Sequence, residues 1–136
     1  MVRGSSLILL NGKRELLLQL RDNKPGIMFP NCWSTFGGHL RKRETPFESI
    51  QREALEELDY LLVEPQYVGN IPYQGHDCFV FMKIDPHVCL RELQVNEGQG
   101  AAFFSEEDAG QTGNWAFNTR EIVETCFKKL LESDST

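Results

Sequence analysis

No stretch of this chain stays apolar long enough to cross a bilayer. The run at residues 6–10 is broken at once by Asn11-Gly12-Lys13-Arg14, and nothing reads as a targeting peptide. Positive charge is also scarce. Fourteen Lys and Arg stand against 20 Asp and Glu, a formal net charge of −6. That lacks the basic footprint of a general nucleic-acid binder, so neither a stable nucleic-acid partner nor a membrane partner is expected. Cysteine is sparse and forms no C-x-x-C pair. Cys32, Cys78, Cys89 and Cys126 are scattered, and His39, His76 and His87 show no zinc-ligand spacing with them. Reduced thiols in a cytoplasmic protein are expected. Internal repeats and low-complexity tracts are missing as well.

What is present is ordinary globular material. The chain has 136 residues, 40% hydrophobic and 25% charged, which is about one domain, 1–136, around one core. Its organising stretch runs from Gly37 to Tyr60. Thr45, Pro46 and Glu48 form a capping box with proline at the first helical position. The spacing then predicts a helix to about Leu58, with Phe47, Ile50, Ala54, Leu55 and Leu58 as its buried stripe. Glu53, Glu56 and Glu57 fall at i, i+3 and i+4, together on the far flank. Such like charges repel by a few tenths of a kcal/mol per pair, and Arg52 is the nearest cation, able to brace Glu56 at i+4. An acidic, solvated helix face is the plain reading. A hard divalent cation is the sharper one, because Mg²⁺ takes oxygen ligands from a few carboxylates plus substrate phosphates.

The spacing of these residues resembles the Nudix box, G-x5-E-x7-R-E-U-x-E-E-x-G-U, with U a bulky aliphatic. Gly38, Glu44, the pair Arg52-Glu53, the pair Glu56-Glu57 and Tyr60 stand at its positions. Three positions depart from the pattern. Asp59 replaces the last glycine, Ala54 is a small residue at the first U, and Arg41 and Arg43 replace an acid and a glycine common in the x5 loop. The resemblance implies that Glu53 and Glu57 bind Mg²⁺, with Mn²⁺ as a substitute, assisted by Glu56 and the Gly37 carbonyl. It further implies that Arg52 orients Glu53 and that Glu44 supports the loop. The expected fold is α/β (α+β), an α/β/α sandwich with a mixed β-sheet between helices.

Around the box, strands are expected at 7–10 and 15–20, joined by a hairpin turn at Asn11-Gly12, and at 32–36, leading into a glycine loop at Gly37-Gly38. Further strands are expected at 61–68, 77–84, 90–94 and 101–104. Residues 21–31, with Pro25, Gly26 and Pro30, read as a long functional loop. Ser105 can cap one helical turn, and Asn118 or Thr119 a final helix, frayed over 132–136. The run Asn96-Glu97-Gly98-Gln99-Gly100 is similar to an acid-bearing segment of the family's nucleoside-triphosphate members. Glu97, flanked by glycines in a loop expected to be mobile, is a second candidate base or metal ligand beside Glu53. Trp33, Phe29, Trp115 and Phe117 can stack a base, Asn118 can read its edge, and Arg21 can reach a phosphate. Arg41 and Arg43 are either plain solvated charges or positive potential where phosphates approach.

The expected function is Mg²⁺-dependent hydrolysis of a nucleoside diphosphate linked to some group X, foremost a nucleoside triphosphate and possibly a damaged one. Nucleotide sugars, dinucleoside polyphosphates and a non-catalytic binding module are the alternatives. The partner is then a small-molecule nucleotide, and the protein a monomer or homodimer.

Overall fold

A computed structural model describes residues 2–134. Its elements in order are β1 (Arg3–Leu10), β2 (Leu16–Leu20), β3 (Trp33–Ser34), β4 (Phe36–His39), α1 (Pro46–Leu58), β5 (Gln66–Asn70), β6 (Asp77–Ile84), β7 (Gly100–Phe104), α2 (Glu106–Gly110) and α3 (Thr119–Asp134). The sheet runs β3-β2-β1-β6-β5, with β4 also paired to β1 and β7 to β2. Among the strand pairs of the described residues only β1 and β6 run in parallel, so the sheet is mixed as expected.

Both faces of the central strands are covered, which is why their sequences read as continuous apolar runs. Leu7, Leu9 and Leu17 pack with Ile50, Ala54 and Leu58 of α1. Ile8, Leu10, Leu16 and Leu18 point the other way, onto Ile122, Val123, Cys126 and Phe127 of α3. This alternation at period two places α1 on one face and α2 and α3 on the other. None of the helices is long and apolar enough to cross a membrane among the described residues.

Several expectations need correction. The 11–15 connection is a five-residue loop between Leu10 and Leu16, not a two-residue turn. The Asn11 side chain accepts from the Lys13 and Glu15 amides, and Arg14 carries the left-handed φ of 59°. Residues 61–65 are not a strand, because Glu64 at φ 48° followed by Pro65 interrupts the extended run. Residues 90–94 form a 3₁₀ turn at Leu90–Glu92. Leu93 and Val95 still alternate into the α1-side core, but the backbone there bonds to the end of α1 rather than to a strand. Gly37 and Gly38 lie within β4, not in a loop. Helix α1 matches its expected bounds, yet Phe47 and Leu55 are exposed, while Ser49 and Glu57 are buried with Ile50, Ala54 and Leu58. The Ser105 turn extends to Gly110 under a capping box with Asp108. Helix α3 spans Thr119–Asp134, so it includes the first residues of the stretch expected to fray, and residues 135 and 136 lie outside the described residues.

Candidate active site

Helix α1 begins as its sequence dictates, with Thr45 Oγ1 accepting from the Glu48 amide and the Glu48 carboxylate accepting from the Thr45 amide. It ends on Asp59 at φ 52°, the left-handed position that glycine fills in the pattern. Arg43 at φ 68° likewise stands where the pattern has glycine. Both departures therefore place a non-glycine residue in the left-handed conformation that glycine adopts most easily.

Arg52 is the hub of the carboxylate face. Its Nε and Nη2 donate to the two Glu44 carboxylate oxygens at 2.7 and 2.9 Å, a bidentate pair. Nη1 donates to Glu53 at 2.9 Å and to Glu56 at 3.2 Å, and Nη2 also reaches the His39 carbonyl. Arg41 adds a second donor to Glu56 at 3.2 Å, so this exposed arginine pairs with the box rather than standing free in solvent. Glu44 further accepts from the Arg41 amide. The Arg52 hydrogen bonds, with that amide behind them, hold the Glu44 carboxyl at about 2. The same contacts raise Arg52 above its already high value.

Glu53 and Glu57 do not lie on a remote solvated flank. Glu53 packs on β4, where a Cβ on Gly38 would sit 2.6 Å from its Oε1. That close approach is the physical reason for glycine at the start of the box. Glu57 is 7% exposed and accepts from the Gly37 amide at 2.8 Å. Burial pushes its carboxyl up to about 8, helped by the negative charges of Glu53, Glu97 and Glu56 and opposed by the Gly37 hydrogen bond. Among the described residues no group of three or more His, Cys, Asp or Glu is already arranged to hold a metal ion. The donor chemistry nonetheless fits a hard divalent cation. It is all oxygen, and Glu57 sits in the negative potential of Glu53, Glu97 and Glu56, while Arg52 is committed to Glu44.

Glu57 and Glu97 open into a cavity of about 530 Å³ whose other lining includes Gly37, Gly38, Arg21, Tyr73, Phe117 and Asn118. Phe117, at φ 52°, packs on Phe29 with ring centroids 4.8 Å apart and on Tyr73 at 5.7 Å. Arg21 lies over the Phe117 ring at 5.0 Å and donates twice to the Met28 carbonyl. Asn118 is buried and donates to the Ile71 carbonyl at 2.6 Å. Trp33 is not brought to this cavity. Its ring packs edge-on against Phe104 at 4.8 Å and belongs to the α3-side core. Trp115 lies beside it, lining a separate hollow between α2 and α3.

The polar floor of the cavity escaped the sequence reading. Gln19, Ser34 and Thr35 are buried there, Gln19 Nε2 donating to the Thr35 carbonyl and Thr35 Oγ1 to Ser6 Oγ. The available signal was Gln19 itself, a lone polar residue inside the apolar run Leu16–Leu20. The loop holding Glu97, expected to be mobile, is hydrogen-bonded at both ends. It is tied down by the Asn96 amide and side chain to the end of α1, and by the Gln99 amide to the Leu20 carbonyl.

The NUDIX domain model matches residues 2–126. The chain belongs to the Nudix family. By family and by its complete set of box acids, it is a Nudix hydrolase. Solved structures similar to it include a mutT/nudix family protein from Listeria innocua, at 20% identity and TM-score 0.80, covering 97% of this chain and 95% of that one. The MutT protein from Methanosarcina mazei Go1 is 18% identical with TM-score 0.79, over 94% of each chain. The NUDIX domain of Shewanella oneidensis NrtR, complexed with ADP ribose, is 14% identical with TM-score 0.78, over 96% of this chain and 88% of that one. At these identities the likeness is one of fold, and it agrees with the Nudix-type layering of helices on a mixed sheet.

Proposed function

We propose that this Nudix protein is a divalent-cation-dependent pyrophosphohydrolase whose foremost substrate is a nucleoside triphosphate, intact or damaged, cleaved to monophosphate and pyrophosphate. One observation carries the reading. A single cavity has carboxylates at Glu57 and Glu97 and, elsewhere on its wall, an aromatic and amide group at Phe117, Tyr73 and Asn118. The first suits metal-bridged phosphates and the second a nucleobase.

Glu53 and Glu57, with Glu56, Glu97 and the Gly37 carbonyl, would hold Mg²⁺ or Mn²⁺, which neutralises and orients the pyrophosphate. Arg52 keeps Glu53 turned toward β4 through their 2.9 Å hydrogen bond. Glu53 or Glu97 positions the water and takes its proton as oxygen adds to phosphorus. The bridging P–O bond then breaks, and pyrophosphate leaves. Phe117 and Tyr73 stack the base, Asn118 contacts its edge, and Arg21 at the rim reaches a phosphate. A reduced cytoplasmic setting, suited to the unpaired thiols, is part of the same proposal.

A second reading, a nucleotide sugar or related diphosphate, draws on the ADP ribose bound to the NrtR domain. Dinucleoside polyphosphates belong with it, while a non-catalytic module is disfavoured by the full set of box acids. A panel of nucleoside triphosphates, ADP ribose, nucleotide sugars and dinucleoside polyphosphates with Mg²⁺ separates these. The proposal expects the highest kcat/KM on a triphosphate, and a clear preference for ADP ribose or a sugar would replace it with the second reading.

A further inference from the structure

An α-helix leaves its last carbonyls without intrahelical donors. In α1 the capping turn supplies some of what is needed, with Asp59 and Tyr60 amides donating to Leu55 and Ala54. The final three carbonyls are satisfied from a distant part of the chain. The Gln94 amide donates to Leu58 at 3.0 Å, the Asn96 amide to Glu57 at 2.8 Å, and Asn96 Nδ2 to Glu56 at 3.1 Å. Asn96 thus grips the backbone of two box glutamates, and Glu97 is the next residue.

The other side of Glu97 is pinned as firmly. The Gln99 amide donates to the Leu20 carbonyl at 2.8 Å, and Gln99 Nε2 donates to the Arg21 carbonyl and to Asn31 Oδ1. Gly98 between them has φ 76°, and a Cβ there would lie 2.5 Å from the Leu20 carbonyl oxygen. Glycine at this place serves close backbone approach, not mobility. Glu97 is therefore strung between the end of the box helix and the end of β2, facing the cavity it shares with Glu57.

We infer that Asn96 is a positioning residue of the hydrolytic reaction. By capping the Glu56 and Glu57 carbonyls it holds the Glu97 carboxylate in register with the box glutamates, while Gly98 fixes the opposite end of the strap. The inference rests on the proposed role of Glu97 in hydrolysis.

The test is a double-mutant cycle on the full chain with Mg²⁺ and the best nucleotide of the panel. Asn96→Ala removes the side-chain cap and leaves its backbone bond. It should lower kcat by roughly 10- to 100-fold, the scale of a misplaced catalytic group, with KM within about threefold. Asn96→Gln, which keeps the amide donor, should recover part of that loss. In the Glu97→Gln background, Asn96→Ala should slow the enzyme by less than about twofold, because the residue it positions is already disabled. Gly98→Ala, pushed off the Leu20 carbonyl, should repeat the pattern independently, and it keeps the inference testable if either variant folds poorly. An equal slowing by Asn96→Ala in both backgrounds overturns the inference while leaving Glu97 in place. Wild-type turnover of Glu97→Gln itself removes the catalytic role of Glu97, and the strap's role with it.

Discussion

The substitution Glu57→Gln should make the metal-free protein more stable, and increasingly so as pH rises. Glu57 is 7% exposed, and burial first, then neighbouring carboxylates, push its carboxyl from 4.5 to about 8. Below pH ~4.5 the group is protonated in folded and unfolded chains alike and contributes nothing to pH dependence. Between there and pH 8 the unfolded chain releases its proton while the folded chain keeps it, so stability falls as pH rises. Above pH 8 the loss is complete. At 1.36 kcal/mol per unit of pKa the full loss is roughly 5 kcal/mol, a large part of a small domain's stability. Glutamine escapes this loss while still offering an oxygen to the Gly37 amide, which Glu57 now engages at 2.8 Å. Urea unfolding in EDTA at pH 5, 6.5 and 8.5 reads the difference between the two proteins. It should grow by several kcal/mol across that range, and added Mg²⁺ should stabilise wild type more than the variant. A difference independent of pH would refute the reasoning, since Glu57 would then be ionised in the fold as in the unfolded chain.

Other predictions rest on separate features. Asp59→Gly and Arg43→Gly each relieve a left-handed residue, at φ 52° and 68°, and should each raise stability by about 1 kcal/mol or less. A clear fall in Tm for either would reveal a side-chain contact that outweighs the backbone. Arg52→Lys keeps the charge but loses the fork that holds Glu44, Glu53 and Glu56 at once. It should cut kcat by roughly 10- to 100-fold, and wild-type turnover would show that Glu53 needs no such brace. Burial pushes the Cys126 thiol up to about 12, while Cys89 is exposed. A thiol reagent at pH 8 should therefore label Cys89 readily and Cys126 only on unfolding. Equal labelling rates would contradict the packing of α3.

The sequence made α1 legible because capping box, proline and apolar spacing all agree there, and the helix spans Pro46–Leu58. Which flank the acids occupy was not legible. Helical spacing groups Glu53 with Glu57 but cannot say that β4, thinned to glycine, leaves room to bury Glu57 and half-bury Glu53. Segments 61–65 and 90–94 have strand-like composition, and their failure to pair lies in Glu64-Pro65 and in the needs of a helix end. Those needs are long-range. Asn96 is 40 residues from Glu56, so no local pattern announces the tie. Gly98 misled for a similar reason, since glycine marks tight approach as often as mobility, and only the Leu20 carbonyl decides between them. Trp33 and Phe117 are alike as aromatic candidates in sequence. One fills the α3-side core and the other lines the cavity.

On the proposed reading, the box carboxylates run cation-dependent hydrolysis of a nucleoside triphosphate. Its most direct measurement is pyrophosphate release from nucleoside triphosphates by wild type and Glu53→Gln, each with Mg²⁺ and with excess EDTA. Wild type with Mg²⁺ should release pyrophosphate, the rate falling on the order of 10³-fold or more in the variant and vanishing in EDTA. Undiminished release by Glu53→Gln, or by wild type in EDTA, would contradict it.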